Sequence, residues 1–191
     1  AELLKEPGRA VEAWRRVLAM EPTSREAIRA LARLSARTHR YGELLELSSR
    51  ELELVHDPRR QVQILERCGE IAELHLGDPN MAAEFYRRAL AIDPGSLPSL
   101  RALGHLYRSL GRYPDLTEMH RGEMQTLSSP ERIERLLHEL AEVHLRHLKM
   151  PSEAAQDLRE ILKRRPGSVP ALDALARLLR STGPATELCT V

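Results

Sequence analysis

The sequence predicts an all-α fold built as a repeating array of helices, and three observations carry that prediction. The first is a gapless internal repeat. Residues 82–106, AAEFYRRALAIDPGSLPSLRALGHL, lie over residues 10–34 and residues 154–178 at shifts of 72 positions. Twelve of the 25 positions agree between the first two copies, where unrelated sequences share about one or two. Eight agree in all three, among them Ala10/Ala82/Ala154, Pro22/Pro94/Pro166, Ser24/Ser96/Ser168 and Leu34/Leu106/Leu178. The second is composition: hydrophobic residues make up 42% of the chain and aromatics only 3%, so packing falls to Leu, Ala, Ile and Val, which suits helices. The third is periodicity. Leu97, Leu100, Leu103, Leu106, Tyr107 and Leu110 fall at the three-and-four spacing of an amphipathic helix, and no alternating strand pattern occurs anywhere.

A repeat array has no single core, since each unit buries its apolar face only against its neighbours. Residues 1–183 are therefore expected to form one array, with 72-residue units starting near 7, 79 and 151. Residues 1–4, AELL, lie in register with Glu73–Leu76 and predict the stub of a helix, so the chain is expected to be cut from a longer array. Pro7, Pro79 and Pro151 open the first helix of each unit, where a missing amide costs nothing. That predicts helices near 8–20, 79–92 and 151–164. Ser24, Ser96 and Ser168 stand as N-caps of the next helices, 24–38, 96–110 and 168–181, with Pro98 in the first turn. Gly104 inside 96–110 costs about 1 kcal/mol against Ala as intrinsic propensity, and Ala32 and Ala176 fill its place in the other copies. The linker LGRY at 110–113 leads to a helix near 113–127, matched by one near 41–55. Long helices at 58–76 and 130–148 end in HLGDP and HLKMP. Residues 184–191, PATELCTV, leave the register and are expected to fray.

Charge and motifs narrow the function. The chain carries 29 basic and 28 acidic residues, a net charge of +1, which argues against a partner with a phosphate backbone and hence against nucleic acid. No apolar run reaches the roughly 18 residues of a membrane span, so no membrane association is expected; the first residues do not resemble a signal peptide, and a cytoplasmic location is expected. Cys68 and Cys189 form no CxxC pair; the first reads as a small buried residue, the second as a tail residue. His138, Glu142, His144 and His147 share a helix but splay around it, so they read as surface or partly buried imidazoles and no metal is expected. There is no phosphate loop, no GxSxG, no HExxH, and no cofactor motif; carboxylates such as Glu51 and Glu53 read as helix-surface charges. The chain is expected not to be an enzyme.

Halving the unit gives subrepeats near 36 residues, and their residues resemble the tetratricopeptide repeat. Ala82, Tyr86, Ala89 and Pro94 match its small, aromatic, small and proline positions. Ala10, Trp14 and Pro22 match with Val17 between them, and Ala154 and Pro166 match with Leu158 and Ile161 between. Leu100, Leu103, Gly104 and Tyr107 answer to the pattern of its first helix. Residues 113–127 depart from it, placing Leu116, His120 and Glu123 at the small, aromatic and small positions.

The resemblance implies a right-handed α-α superhelix of antiparallel helix pairs whose first helices line a concave groove, and a protein-protein interaction scaffold that binds a peptide or partner helix there. Carried onto this chain, the groove shows Arg29, Arg33 and Arg37 beside Glu26. The next bands are Glu66, Glu70 and Glu73, then Arg101, His105 and Arg108. Arg135, His138, Glu142 and Arg146 follow, then Arg177 and Arg180 beside Asp173. The basic bands suggest an acidic or carboxylate-ended partner. The alternating signs suggest instead a lattice of ion pairs of small energy, and that reading is favoured. Two other roles fit the same fold: a regulatory or sensor segment of a larger enzyme such as a kinase, and a structural spacer that self-associates through its end helices.

Overall fold

The computed structural model describes residues 7–182. Among them are ten α-helices: α1 (Pro7–Met20), α2 (Arg25–Arg37), α3 (Tyr41–Leu54), α4 (Pro58–Leu74), α5 (Pro79–Ile92), α6 (Leu97–Ser109), α7 (Tyr113–Thr126), α8 (Pro130–Val143), α9 (Pro151–Arg164) and α10 (Val169–Thr182). No strand occurs among the described residues. The helix stub and the frayed tail expected at 1–4 and 184–191 lie outside them. Helix ends fall within two residues of the sequence expectation except at 130–148, where α8 gives way after Val143 to a π turn, His144–Leu148.

Two compact units divide between Leu106 and Tyr107, inside α6. In the first, each of α1 to α4 packs on the helix that follows it. Ile28, Leu31 and Leu47 close on Val11 and Trp14, and Leu44, Ile64, Cys68 and Ile71 form the next layer. In the second, α8, α9 and α10 enclose Leu137, Leu140, Leu158, Ile161, Leu175 and Leu178. The small residues sit where helices meet: the shared Ala82 and Ala154 are 0% and 1% exposed, and Ala89 is 0% exposed. Ala102 differs, being half-buried beside a cleft rather than sealed in a crossing. Burial also pushes the Cys68 thiol up to about 11, so it stays a protonated packing group at neutral pH.

The 72-residue register is written into the backbone as well as the side chains. His39 and Gly111 both adopt left-handed φ, 56° and 67°, and stand 72 apart; Gly77 and Lys149, at 64° and 56°, do the same. At the first pair the next amide bonds back five residues, Arg40 N–H to Ser35 O at 2.9 Å and Arg112 N–H to Tyr107 O at 2.8 Å. At the second pair Asp78 N–H reaches Ala72 O at 2.9 Å and Met150 N–H reaches His144 O at 2.8 Å. The conformation recurs although the residue changes. A non-glycine residue loses roughly 1–2 kcal/mol in this region, partly offset by the freedom glycine gains on unfolding. Lys149→Gly is therefore expected to stabilise the chain by about 0.5–1 kcal/mol, read as a higher urea midpoint at unchanged m.

Three expectations are corrected. Ser24 makes no side-chain capping bond, and Ser168 Oγ donates to Glu134 Oε1 at 2.8 Å; of the three serines, Ser96 caps its helix, accepting from Ser99 N–H at 3.3 Å. Glu51 is not a surface charge: it is buried in α3 and accepts from Arg29 Nε at 2.9 Å and Arg60 at 3.2 Å, whereas Glu53 is exposed. His144 is buried, not superficial, with Nδ1 2.6 Å from Asp157 Oδ2, in the positions that Ala72 and Phe85 hold in the first unit. Burial pushes the Asp157 carboxyl up, against the pull of His144. His120 is also buried, taking the aromatic slot of α7, with Nδ1 3.6 Å from Glu123 Oε2 and Nε2 3.5 Å from Glu139 Oε2. Neither nitrogen has a hydrogen-bond partner among the described residues, and Arg132 supplies the direct bonds to Glu123, at 2.9 and 2.5 Å.

Candidate functional site: two equivalent clefts

Each unit holds a cleft between the first helices of successive pairs, floored by the helix between them. In the first unit α4 and α6 form the walls and α5 the floor of a cavity of about 520 Å³. Glu66 and Glu70 line it together with Gln63, Arg67, Tyr86, Pro98 and Ala102. Residues three and four apart share a helix face, so α4 aims Glu66, Gly69, Glu70 and Glu73 the same way. Gly69 lets the Tyr86 ring lie against the α4 backbone, since a Cβ there would stand only 2.7 to 2.9 Å from ring atoms Cζ, Cε1 and Cε2. Burial and then the fields of Glu73, Glu70 and Glu66 push the Tyr86 phenol up to about 12.

The carboxylates are held differently. Glu66 Oε1 accepts from Ser96 Oγ at 2.6 Å and Ser99 Oγ at 2.9 Å, which fastens the start of α6 to α4. Glu73 Oε1 lies 3.9 Å from His105 Nδ1. Glu70 is exposed and has no cation within ion-pair distance among the described residues.

In the second unit α8 and α10 form the walls and α9 the floor of a cavity of about 620 Å³. His138, Glu139, Glu142, Leu158 and Ala174 line it, each 72 positions after Glu66, Arg67, Glu70, Tyr86 and Ala102 of the first. Leu145, Arg146, Arg177 and Leu178 are among the other residues that line it. The clefts share positions, not chemistry. Where the first has Gly69 beneath Tyr86, the second has Ala141 beside Leu158, and a single acidic residue of the Glu66, Glu70, Glu73 face remains, Glu142.

The expected groove residues divide accordingly. Glu66, Glu70 and Arg177 line clefts, and Glu73 and His105 meet beside the first. The basic bands are largely engaged elsewhere: Arg29 bonds Glu51, Arg108 pairs with Glu139 at 2.7 Å, and Arg177 pairs with Asp173 at 2.5 Å. Arg33 and Arg180 donate to carbonyls of their own helices, at 3.3 and 3.2 Å. Arg101 is exposed, without an ion pair among the described residues. The sequence pattern gives Tyr86 as an aromatic position and marks neither Tyr86 nor Ala102 as cleft lining. The exchange of Gly69 and Tyr86 for Ala141 and Leu158 at one register was the available signal.

Among the described residues no group of three or more His, Cys, Asp or Glu is placed to hold a metal ion, and no helix is long and apolar enough to cross a membrane. His147 stacks on Tyr113 at 3.8 Å between ring centroids.

Models of the tetratricopeptide repeat match residues 62–96 and 99–134. The second match takes in the α7 segment that departs from the pattern. No curated protein matches the sequence. Among solved structures, YrrB, described as a TPR protein with an unusual peptide-binding site, is 13% identical at a TM-score of 0.47, over 91% of this chain and 85% of its own. MamA is 17% identical at 0.46, over 82% and 86%. TTC0263, a thermophilic TPR protein from Thermus thermophilus, is 19% identical at 0.41, over 94% and 93%. Among the ten described helices, the segments at 62–96 and 99–134 are thus tetratricopeptide repeats.

Proposed function

We propose that this chain binds an extended segment or helix of a partner protein in its two inter-helix clefts. Tetratricopeptide repeats make protein-interaction scaffolds and are generally not enzymes. The observation that carries the finer reading is that both clefts are built on the same positions, 66/138, 70/142, 86/158 and 102/174, while the side chains there differ in charge and size. A frame that repeats with a lining that varies suits recognition of successive, different parts of a partner. The same reading treats the two units as parts of one array, on the strength of the 72-residue register that runs through both. An acidic partner finds little support in the basic bands, because Arg29, Arg108 and Arg177 already face carboxylates.

Ala102 and Ala174 are half-buried cleft residues at which a long side chain would project into the cavity. Ala102→Arg and Ala174→Arg are each expected to fill one cleft with the helices intact. Partners cross-linked to the parent chain should be lost at least about tenfold from one or both variants. Capture unchanged in both, with circular dichroism unchanged, would overturn the reading.

A further inference from the structure

We infer that the cleft of the first unit takes a cationic side chain, a lysine or arginine of the partner segment. The inference rests on the reading of the clefts as binding sites and gives one of them a ligand chemistry. Glu66 and Glu70 line the cleft from its α4 wall with Glu73 beside it, and among the described residues the basic side chain that comes within ion-pair distance of any of them is His105, 3.9 Å from Glu73. Like charges spaced three and four apart destabilise a helix, so α4 carries Glu66, Glu70 and Glu73 at a cost to itself.

Tyr86 is the independent observation. Only 6% exposed, it lines the cleft and makes no hydrogen bond among the described residues. Its ring is buried while its hydroxyl oxygen stays accessible from the cleft, where an incoming donor can reach it. An ammonium or guanidinium entering over α5 would donate to the Tyr86 hydroxyl oxygen and meet the Glu70 and Glu73 carboxylates beside it. Glu66 would contribute field and its second oxygen, Oε1 being occupied by Ser96 and Ser99.

Arg67 also lines the cleft and Arg101 rises from α6, and both are exposed with no ion pair among the described residues. Their charges favour acidic groups at the rim. Beside the buried Tyr86 ring, where desolvation makes charge count most, the fields are those of Glu73, Glu70 and Glu66. The second cleft is the internal contrast: His138, Leu145 and Leu158 stand in the places of Glu66, Glu73 and Tyr86, and no cation is called for there.

The test uses the whole chain and four nonapeptides of Ser and Leu with one central Lys, Arg, norleucine or Glu, titrated calorimetrically at low salt. The Lys and Arg peptides should bind at least about tenfold more tightly than the norleucine peptide, and the advantage should shrink as salt rises. Glu70→Gln with Glu73→Gln should remove most of that advantage, and Tyr86→Phe should weaken it about threefold without lowering the thermal midpoint, since the hydroxyl has no partner to lose. Glu66 is left intact because it anchors α6. A Glu peptide binding as well as the Lys peptide, or a Lys preference untouched by these variants, overturns the proposal. If all four peptides bind equally and Ala102→Arg abolishes them all, the cleft reading survives and the cation does not. If basic peptides bind and Ala102→Arg leaves them unaffected, both readings fall.

Discussion

Gly69→Ala is expected to cost the chain about 2–3 kcal/mol, near the top of the range for overpacking a buried site. The new methyl would lie within 2.9 Å of three carbons of the Tyr86 ring, and that ring is too deeply buried to swing aside freely. The repeat supplies the remedy. The second unit places alanine and leucine, Ala141 and Leu158, at these two positions, and both are buried there. Tyr86→Leu alone should leave a void and cost about 1–3 kcal/mol, yet in the Gly69→Ala background it should recover most of the loss. A double-mutant cycle by urea unfolding should show coupling of at least about 1 kcal/mol. Additive costs would mean that the ring yields without resistance and that the two changes are unrelated.

Arg132→Met should cost about 2–3 kcal/mol, because it leaves the Glu123 carboxylate buried without its main partner. Glu123 is 3% exposed at its side chain, with two bonds from Arg132 and a histidine that stands too far away to replace them. Burial alone would raise the Glu123 carboxyl, but His120 and Arg132 hold it below the usual glutamate range. A lowered carboxyl loses its contribution as pH falls: the unfolded chain takes up its proton first, near 4.5, and the folded chain only at lower pH. Glu43, also held low although burial opposes it, acts in the same direction, so the parent should weaken steadily from about pH 5 downward. In Arg132→Met that slope should be shallower. Unfolding midpoints at pH 7, 5 and 3.5 in both proteins would show it, and parallel slopes would remove Glu123 from the account.

The helices were legible because their signals are local. Pro7, Pro79 and Pro151 mark starts, and the leucine spacing of 97–110 marks a buried stripe. The π turn at His144–Leu148 was not legible, because its five-residue bonds leave no mark on the three-and-four pattern. Nor were the buried ionic sites. Glu51 and Glu123 look like any helix-surface glutamate until Arg29 and Arg132 arrive from other positions in the chain to neutralise them. The candidate site was half legible: the Glu66, Glu70, Glu73 face follows from helical spacing, but its floor does not. Tyr86 fills a position that the family pattern assigns to packing, and only the missing Cβ of Gly69 brings its ring down between the glutamates.

The left-handed residues also set the chain's modular grammar. His39, Gly77, Gly111 and Lys149 follow one another at 38, 34 and 38 residues. Successive helix pairs thus alternate in length by four residues, about one helical turn and a twist of roughly 40°. A single interval is for that reason not interchangeable with the next, and the smallest segment whose spacing repeats is the double interval of 72 residues. Engineered shortening or lengthening of this chain should proceed in steps of 72 residues.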